Sequence, residues 1–364
     1  RRERLCEAAQ PGERRLPASR AGDARDDDDA VHPEPDPAVP GGCIVTLAIA
    51  DVAAYVTAGS VLDREAYLRG NSTYFPDRVA PMLPEALSAD LCSLREGENR
   101  ACLAVRMHFD PTGRKTKHVF LRGLMRSAAR LTYSQAQNAI EGRPDEKTAP
   151  LLDSLIKPLY AAYAVMLRGR EARDPLDLDV PERRVRIGAD GKIASIELRK
   201  TLPSMQLIEE MMIQANVAAA ETLEQHRVPT LYRIHDEPSR EKIEALADFL
   251  DTIGVPFSLG QKLVPGLFNR FLKAQKDGPF APLINEIVLR SQSQALYSPD
   301  NIGHFGLHLT KYAHFTSPIR RYADLVVHRG LIRALGFGKD GLKDAQIAAL
   351  AQIGVGGVDD GVCL

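Results

Sequence analysis

Four consecutive aspartates, Asp26–Asp29, follow Asp23 near the start of the sequence. Carboxylates spaced by one or two residues can direct their oxygens at a common Mg²⁺, which prefers hard oxygen ligands and keeps some of its water. Two such ions about 4 Å apart could activate a water molecule and stabilise the leaving oxygen of a phosphodiester. Acidic runs are more often solvated loops, so this run predicts phosphodiester chemistry only in combination with other residues.

A pair of arginines offers a binding site for the phosphate that such chemistry requires. Arg320 and Arg321 lie just after a proline in the segment HFTSPIRRYADLVVHR, and a helix is predicted to begin around them. A helix N-terminus attracts anions through its backbone dipole, and a guanidinium beside it can make two parallel hydrogen bonds to a phosphate. The alternative is an ordinary amphipathic helix with a basic outer face.

A carboxylate and an amide share one face of another predicted helix, in the segment LIEEMMIQAN. Glu209 and Asn216 are seven residues apart, and residues at this spacing lie on the same side of a helix. Such a pair could hydrogen-bond a ribose hydroxyl, and Glu210 would replace Glu209 if the helix were rotated. A pair at the solvent edge of a structural helix is the alternative.

Two tyrosines are candidates for stacking on bases. Tyr74 lies in NSTYFPDRVAPMLPEALS and Tyr133 in ARLTYSQAQ, and stacking contributes about 1–3 kcal/mol per base in single-stranded nucleic acid. Each is also typical of a half-buried core residue. Four histidines form no HExxH motif and are interpreted as structural residues: His304, His308, His314 and His328.

Composition excludes several classes of protein. Hydrophobic residues make up 44% and charged residues 26% of the chain, which is typical of a globular domain in water. The longest apolar run, residues 44–56, is interrupted by Asp51 and is too short to span a bilayer. Five scattered cysteines form no CxxC pair, which argues against a zinc knuckle and favours a reducing compartment, the cytoplasm. We therefore expect no membrane partner, and no obligate protein partner is evident.

The net charge of −1 gives no support to nucleic-acid binding, because such domains are often strongly basic overall. Binding would have to depend on local clusters of charge. The basic segment around Arg320 is the main candidate for such a cluster.

Strands and helices alternate irregularly, which predicts a mixed α/β (α+β) domain with a central mixed sheet. We expect the domain to span residues 23–338, with irregular segments at residues 1–22 and 339–364. The apolar run 44–56 predicts a buried central strand. Two hairpins and two helices are also predicted: strands 104–109 with 118–121, strands 184–187 with 193–198, a helix over 206–224, and a helix that begins after Ser239 and ends at Gly254.

Several segments resemble the RNB catalytic domain of ribonuclease II and ribonuclease R, both in their order along the chain and in their residues. They resemble ribonuclease R more closely. The resemblance runs from about residue 23 to residue 335 and includes ARDDDDAV, LAIADVAAYV, DREAYLRGNSTYFPDRVAPMLPEALSADLCSL, LIEEMMIQAN, LYRIHDEPS, GHFGLHL and YAHFTSPIRRYADLVVHR. It implies an enzyme dependent on Mg²⁺, or on Mn²⁺, that degrades single-stranded RNA from its 3′ end and releases 5′-mononucleotides. It also implies an RNA channel with an aspartate cluster on its floor.

Position by position, the resemblance assigns metal ligands and a phosphate contact. Asp26, Asp28 and Asp29 match the metal-binding aspartates of the family, and hydrolysis would depend most on Asp28. Arg320 matches the arginine that contacts the scissile phosphate region and would stabilise developing charge.

The same comparison assigns RNA contacts. Tyr133 matches the tyrosine packed near the terminal nucleotide, and Tyr74 matches one that stacks on bases. Glu209 or Glu210 matches the glutamate near the last sugar. Arg321 lies next to the phosphate-contacting arginine and is a further candidate for RNA binding.

The sequence departs from the family pattern at the acidic cluster. Arg20 occupies the position, six residues before Asp26, where the family carries a further aspartate. Asp27 occupies a position where a large apolar residue is usual, and a buried unpaired carboxylate is costly. Asp23 or Asp27 could replace the missing ligand. Two hypotheses follow: an active exoribonuclease, impaired by Arg20, or an inactive RNA-binding relic or truncated fragment. A phosphohydrolase acting on small molecules is a third, less favoured by the tyrosines and the basic helix.

Overall fold

The computed structural model describes residues 15–20, 28–75, 77–180, 182–188, 192–199, 201–257, 260 and 262–346. Strands are β1 Arg15–Arg20, β2 Asp29–Pro35, β3 Cys43–Ala50, β4 Thr73–Tyr74, β5 Val79–Ala80, β6 Asn99–Phe109, β7 Lys115–Thr132, β8 Glu182–Ile187, β9 Ile193–Arg199, β10 Tyr232–Ile234 and β11 Leu296–Ser298. Helices are α1 Val61–Arg69, α2 Tyr133–Ile140, α3 Lys157–Arg173, α4 Pro203–Gln225, α5 Arg240–Thr252, α6 Pro265–Ala274, α7 Ala281–Ser291 and α8 Tyr322–Ala334. The predicted mixed α/β class is confirmed.

The central sheet is a closed barrel of five strands in the order β1-β2-β3-β6-β7. Neighbouring strands are antiparallel except β1 and β7, which are parallel. Closure removes the exposed edges that an open sheet of this length would present. The barrel was predicted only as a central mixed sheet.

Strand β3 confirms the predicted buried central strand, although it ends at Ala50. It is buried along its whole length because β2 and β6 pair with its two edges and the two hydrophobic clusters cover its faces. Leu47 and Ile49 point into the main core, whereas Ala48 lies in the second cluster with Leu325 of α8. Apolar residues on both faces explain the unbroken apolar run in the sequence.

Both predicted hairpins are present, as β6–β7 and β8–β9. In the β6–β7 turn Asp110 accepts a hydrogen bond from the backbone N–H of Thr112, and Gly113 has a φ of +82°. A Cβ on Gly113 would lie 2.3 Å from the carbonyl oxygen of Val165. Glycine is therefore required both by the turn and by the close approach of α3.

The helices cover the barrel and support the functional site. Helix α4 matches the predicted helix over 206–224; its apolar residues join the barrel core together with those of α3. Ser239 caps α5 as predicted, by accepting a hydrogen bond from the N–H of Lys242. Helices α5, α6 and α7 share a separate apolar cluster centred on Phe268.

The N-terminal prediction requires a correction. Residues 1–22 were expected to be irregular, but Arg15–Arg20 forms strand β1, which pairs with β2 and with β7 between Arg126 and Thr132. The segment RLPASR contains a proline and no alternation of apolar residues, so local periodicity could not predict a strand whose main partner is so distant in sequence. Its pairing places the backbone of Arg20 beside Thr132.

Part of the predicted C-terminal tail packs against the domain. Asp340 accepts a hydrogen bond of 2.8 Å from Nη1 of Arg122, and Leu342 is buried. In the part of the chain that the structure describes, no helix has the length and apolarity needed to cross a bilayer.

Candidate active site

An open cleft lies between the loop before α8, helix α4 and the β4 and β10 strands. Four residues predicted to contact RNA line it together: Tyr74, Glu209, Arg320 and Arg321. Residues to which the sequence assigned no role also line it, among them Asn71, Arg233 and Tyr312. Both groups lie on elements that are far apart in the sequence.

Asp28 and Arg320 lie next to each other at the barrel. Nε of Arg320 is 3.9 Å from Oδ2 of Asp28, and the two side chains are 43% and 12% exposed. The backbone oxygen of Asp28 accepts a hydrogen bond from the N–H of Ala50, so β3 fixes this carboxylate just before β2 begins. The arrangement combines a partly exposed carboxylate with a guanidinium that a phosphate could reach.

The acidic run offers oxygen donors of the kind that Mg²⁺ prefers. Asp28 and Asp29 are consecutive at the start of β2, and both are partly buried. Asp26 and Asp27 lie outside the described residues, and the described residues contain no group of three acidic, histidine or cysteine side chains that could hold a metal. The donor chemistry fits the ion, and a site completed by Asp26 stays a prediction.

Arg321 has a different environment from its neighbour. Its Nε and Nη2 each donate a hydrogen bond of 2.8 Å to the carboxylate of Asp324, which is fully buried and also accepts the N–H of Ser317 at 2.7 Å. Burial raises the pKa of Asp324, but the charge of Arg321 outweighs it and the pKa falls to about 2. Arg321 therefore positions the loop that carries Arg320, and its contact with RNA stays a prediction.

The segment that carries Tyr74 is tied directly to the Arg320 loop. The N–H of Ser72 donates to the carbonyl of Arg320 at 2.9 Å, and Asn71 forms a β-bridge with Arg321. Tyr74 itself is 50% exposed and lines the cleft. A candidate stacking surface and a candidate phosphate contact are thus held in a fixed relationship.

The two adjacent glutamates of α4 have opposite surroundings. Glu210 is 1% exposed and accepts hydrogen bonds from Nη1 and Nη2 of Arg173 at 3.0 and 2.9 Å. Glu209 has an exposed side chain that lines the cleft. The surrounding protein removes part of the water around its carboxyl group, and this desolvation raises its pKa. Of the two, only Glu209 faces the cleft, so the geometry favours Glu209 as the residue that could contact a sugar.

The suggested ribose contact of Asn216 is wrong. Asn216 is 3% exposed, its Nδ2 donates to the hydroxyl of Tyr312 at 3.1 Å, and its Oδ1 accepts the N–H of Phe315 at 2.7 Å. Both ends of the amide are therefore used within the protein. Asn216 thus fixes the loop at Tyr312 and Phe315 that leads to Arg320. This loop covers the part of the α4 face on which Asn216 lies.

Tyr133 lies outside the cleft. It is the first residue of α2, and it lines a small apolar pocket with Val31 and Leu207. The preceding Thr132 pairs with Arg20, so Tyr133 stands at the end of the barrel where β1 and the acidic run also end. The structure therefore does not bring Tyr133 and Tyr74 together on one surface.

The histidines are bonded within the protein. Nδ1 of His304 accepts the N–H of Leu307, His308 bonds the carbonyl of Arg173 through Nδ1, and Nε2 of His328 donates to the carbonyl of Phe315 at 2.8 Å. Burial lowers the pKa of His304 to about 3, so its ring is neutral at the cleft wall. These bonds agree with the structural interpretation.

Comparison with known proteins identifies the family. The sequence matches the RNB domain over residues 20–336. The chain belongs to the RNB domain family. Ribonuclease R from Escherichia coli (strain K12) is 42% identical over 311 residues, which cover 85% of this chain and 38% of that protein. This RNB domain therefore spans about two fifths of the length of that relative.

Solved structures agree with this assignment. Mycoplasma genitalium RNase R in complex with ribose-methylated single-stranded RNA matches this RNB domain with a TM-score of 0.86 at 26% identity, over 96% of this chain and 56% of that chain. Yeast Ssd1, described as a pseudonuclease, matches with a TM-score of 0.70 at 20% identity, over 93% of this chain and 41% of its own. The second likeness is one of fold alone.

Proposed function

We propose that this RNB domain is a Mg²⁺-dependent 3′→5′ exoribonuclease that hydrolyses single-stranded RNA to 5′-mononucleotides. The observation that supports it most is the contact between Arg320 and Asp28 at a cleft lined by arginines and by Tyr74. Phosphodiester hydrolysis needs a cation beside the phosphate on which charge develops, and a partly exposed guanidinium meets that requirement. The similarity to ribonuclease R supports an exoribonuclease in particular.

Six residues in and beside the cleft would have defined roles. Arg320 would bind the scissile phosphate and stabilise its developing negative charge. Asp28 and Asp29, with Asp26, would hold the metal ion, whose chemistry is to activate water and to neutralise charge on the phosphate. Tyr74 would stack on a base and Glu209 would accept a hydrogen bond from a sugar hydroxyl.

A second candidate is RNA binding without catalysis. It is favoured by Arg20, whose backbone lies at the end of β1 where the family pattern has an aspartate. A positive charge at this position would repel a metal ion rather than bind it. The fold itself does not decide between the two candidates, because a protein described as a pseudonuclease has it too.

The test is a cleavage assay with single-stranded RNA labelled at its 5′ end, with Mg²⁺, with metal removed, and with the Asp28→Asn variant. Asp153→Asn, at a side chain that is 83% exposed, is the matched control. The proposal expects products that shorten from the 3′ end with release of mononucleotides, by the wild type and the control alone. RNA that stays intact but is bound would support the second candidate, and intact, unbound RNA would contradict both.

The same assay also tests the expected metal ion and the expected class of substrate. Replacement of Mg²⁺ by Mn²⁺ tests the choice of ion, and a nucleoside monophosphate offered as substrate tests hydrolysis of small molecules. Location in the cytoplasm and independence from an obligate protein partner stay predictions of the sequence.

A further inference from the structure

Arg233 lines the same cleft as Arg320 but comes from a different part of the fold. It is the middle residue of β10, where it pairs directly with Tyr297 of β11. Its guanidinium carbon lies 4.8 Å from the centre of the Tyr297 ring, and its backbone N–H donates to the carbonyl of Tyr312 at 2.9 Å. Strand pairing thus fixes the backbone of Arg233, and the contact with the Tyr297 ring positions its guanidinium.

The stacking partner is itself held in place. Tyr297 is 8% exposed, and its hydroxyl is hydrogen-bonded to Nδ1 of His314 at 2.6 Å. Burial, followed by the charge of Arg321, keeps the pKa of His314 well below its usual value, so the ring is neutral and this hydrogen bond joins two uncharged groups. A guanidinium stacked on a fixed ring loses little freedom when it binds a phosphate.

Arginines outnumber carboxylates among the described residues that line the cleft. Its lining includes three arginines and Glu209, and the charge of Arg321 is balanced by the buried Asp324. The two lining histidines are neutral because burial lowers their pKa values. Arg320 also lies 3.9 Å from Asp28, so carboxylates offset part of the positive charge. Arg233 and Arg320 both line the cleft, where phosphates of one RNA strand could contact them.

We propose that Arg233 is a second phosphate-binding residue of the cleft, which binds an internucleotide phosphate next to the nucleotide whose phosphate Arg320 contacts. The planar guanidinium can make two parallel hydrogen bonds to such a phosphate. The proposal rests on the proposed function of the cleft as an RNA site. It extends that function from the reacting phosphate to the nucleotide before it.

The test is equilibrium binding of single-stranded RNA by the intact chain at several salt concentrations, with divalent ions removed so that no cleavage occurs. Each phosphate neutralised contributes about −0.7 to the slope of log affinity against log salt for single strands. Arg233→Gln is expected to make this slope less negative by about 0.7 and to weaken binding at low salt on the order of tenfold. Arg233→Lys should keep the slope but also bind more weakly, because lysine lacks the planar fork.

Arg240→Gln is the matched control, since Arg240 lies on α5 and is 87% exposed. It should bind RNA with the affinity and slope of the wild type. Wild-type binding by Arg233→Gln would overturn the assignment of Arg233 alone, whereas no RNA binding by the wild type would overturn the proposed function as well. If Arg233→Gln does not fold in a thermal melt, Arg233→Lys decides the question, and wild-type affinity in that variant would overturn the assignment.

Discussion

Nε of Arg320 lies 3.9 Å from Oδ2 of Asp28, although the two residues belong to opposite ends of the RNB domain. Strand β2 begins immediately after Asp28, and α8 begins two residues after Arg320. The neighbouring Arg321 is turned toward Asp324 instead, so adjacent arginines have separable roles that substitution can distinguish.

The first prediction compares these two arginines. Arg320→Gln should leave the free energy of unfolding nearly unchanged, because the side chain is 43% exposed, and should lower the rate of RNA cleavage on the order of 10²–10³-fold. Arg321→Gln should lower the free energy of unfolding by roughly 3–5 kcal/mol, because it leaves the buried carboxylate of Asp324 without its cation. Urea unfolding and the cleavage assay measure the two effects.

The Arg320→Gln and Arg321→Gln variants serve as controls for each other. A large loss of stability in Arg320→Gln, or none in Arg321→Gln, would contradict the roles assigned here. Arg290→Gln, at a side chain that is 76% exposed on α7, should change neither quantity.

The second prediction concerns the adjacent glutamates. Glu210→Gln should lower the free energy of unfolding by about 3 kcal/mol, because Arg173 is only 12% exposed and would lose its carboxylate partner. Glu209→Ala should change stability by no more than about 0.5 kcal/mol. It should lower the ratio of RNA to DNA affinity, because the 2′-hydroxyl would lose an acceptor.

Competition binding with RNA and DNA of the same sequence measures this ratio. Metal is removed for the measurement so that the RNA stays intact. An unchanged ratio in Glu209→Ala would argue against a sugar contact by this carboxylate.

The local elements could be predicted because their signals lie within one stretch of sequence. The buried run of β3 and the β6–β7 turn are such cases, as is the Ser239 cap of α5. Closure of the barrel could not be predicted in this way, because β1 depends on pairing with Arg126–Thr132, which no periodicity within RLPASR indicates.

The candidate site was predicted in composition but not in arrangement. A spacing of seven residues correctly places Glu209 and Asn216 on one face of α4. Only the part of this face around Glu209 lines the cleft, because the loop that contains Phe315 packs against the part around Asn216. Helical periodicity identifies a face and not the element that covers it. Arg233 lies in the segment LYRIHDEPS, which contributes to the family resemblance, but a lone arginine in a short strand has no spacing that would assign it a role.

The third prediction concerns the departure from the family pattern at position 20. The backbone of Arg20 lies beside Thr132, at the end of the barrel near the acidic run. Arg20→Asp replaces a positive charge by a carboxylate there, so it should raise the rate of RNA cleavage and lower the Mg²⁺ concentration needed for half of the maximal rate. Metal titration of the cleavage rate measures both.

Arg15→Asp, at the other end of β1, is the matched control for the change in charge. It should leave the metal dependence unchanged. If Arg20→Asp and Arg15→Asp behave alike, or if neither differs from the wild type, position 20 does not limit activity.

The fourth prediction is that stability falls as the pH is lowered below about 6.5. Burial lowers the pKa of His304 to about 3 and also lowers the pKa of His328 from its usual 6.5. The unfolded chain binds protons at these histidines below pH 6.5 while the folded chain does not. Each buried histidine therefore removes about 1.4 kcal/mol per pH unit below that value, until the folded pKa is reached.

Urea unfolding at intervals between pH 7 and pH 5 measures this dependence. Over this range the carboxylate of Asp324 contributes little, because its folded pKa is about 2 and its usual pKa is 3.8. His328→Gln should reduce the slope by the share of one histidine, since the side chain is fully buried. His226→Gln, at an exposed residue after α4, should leave the slope unchanged. Equal slopes in all three proteins would show that His328 is protonated in the folded chain over this pH range, contrary to the lowering of its pKa by burial.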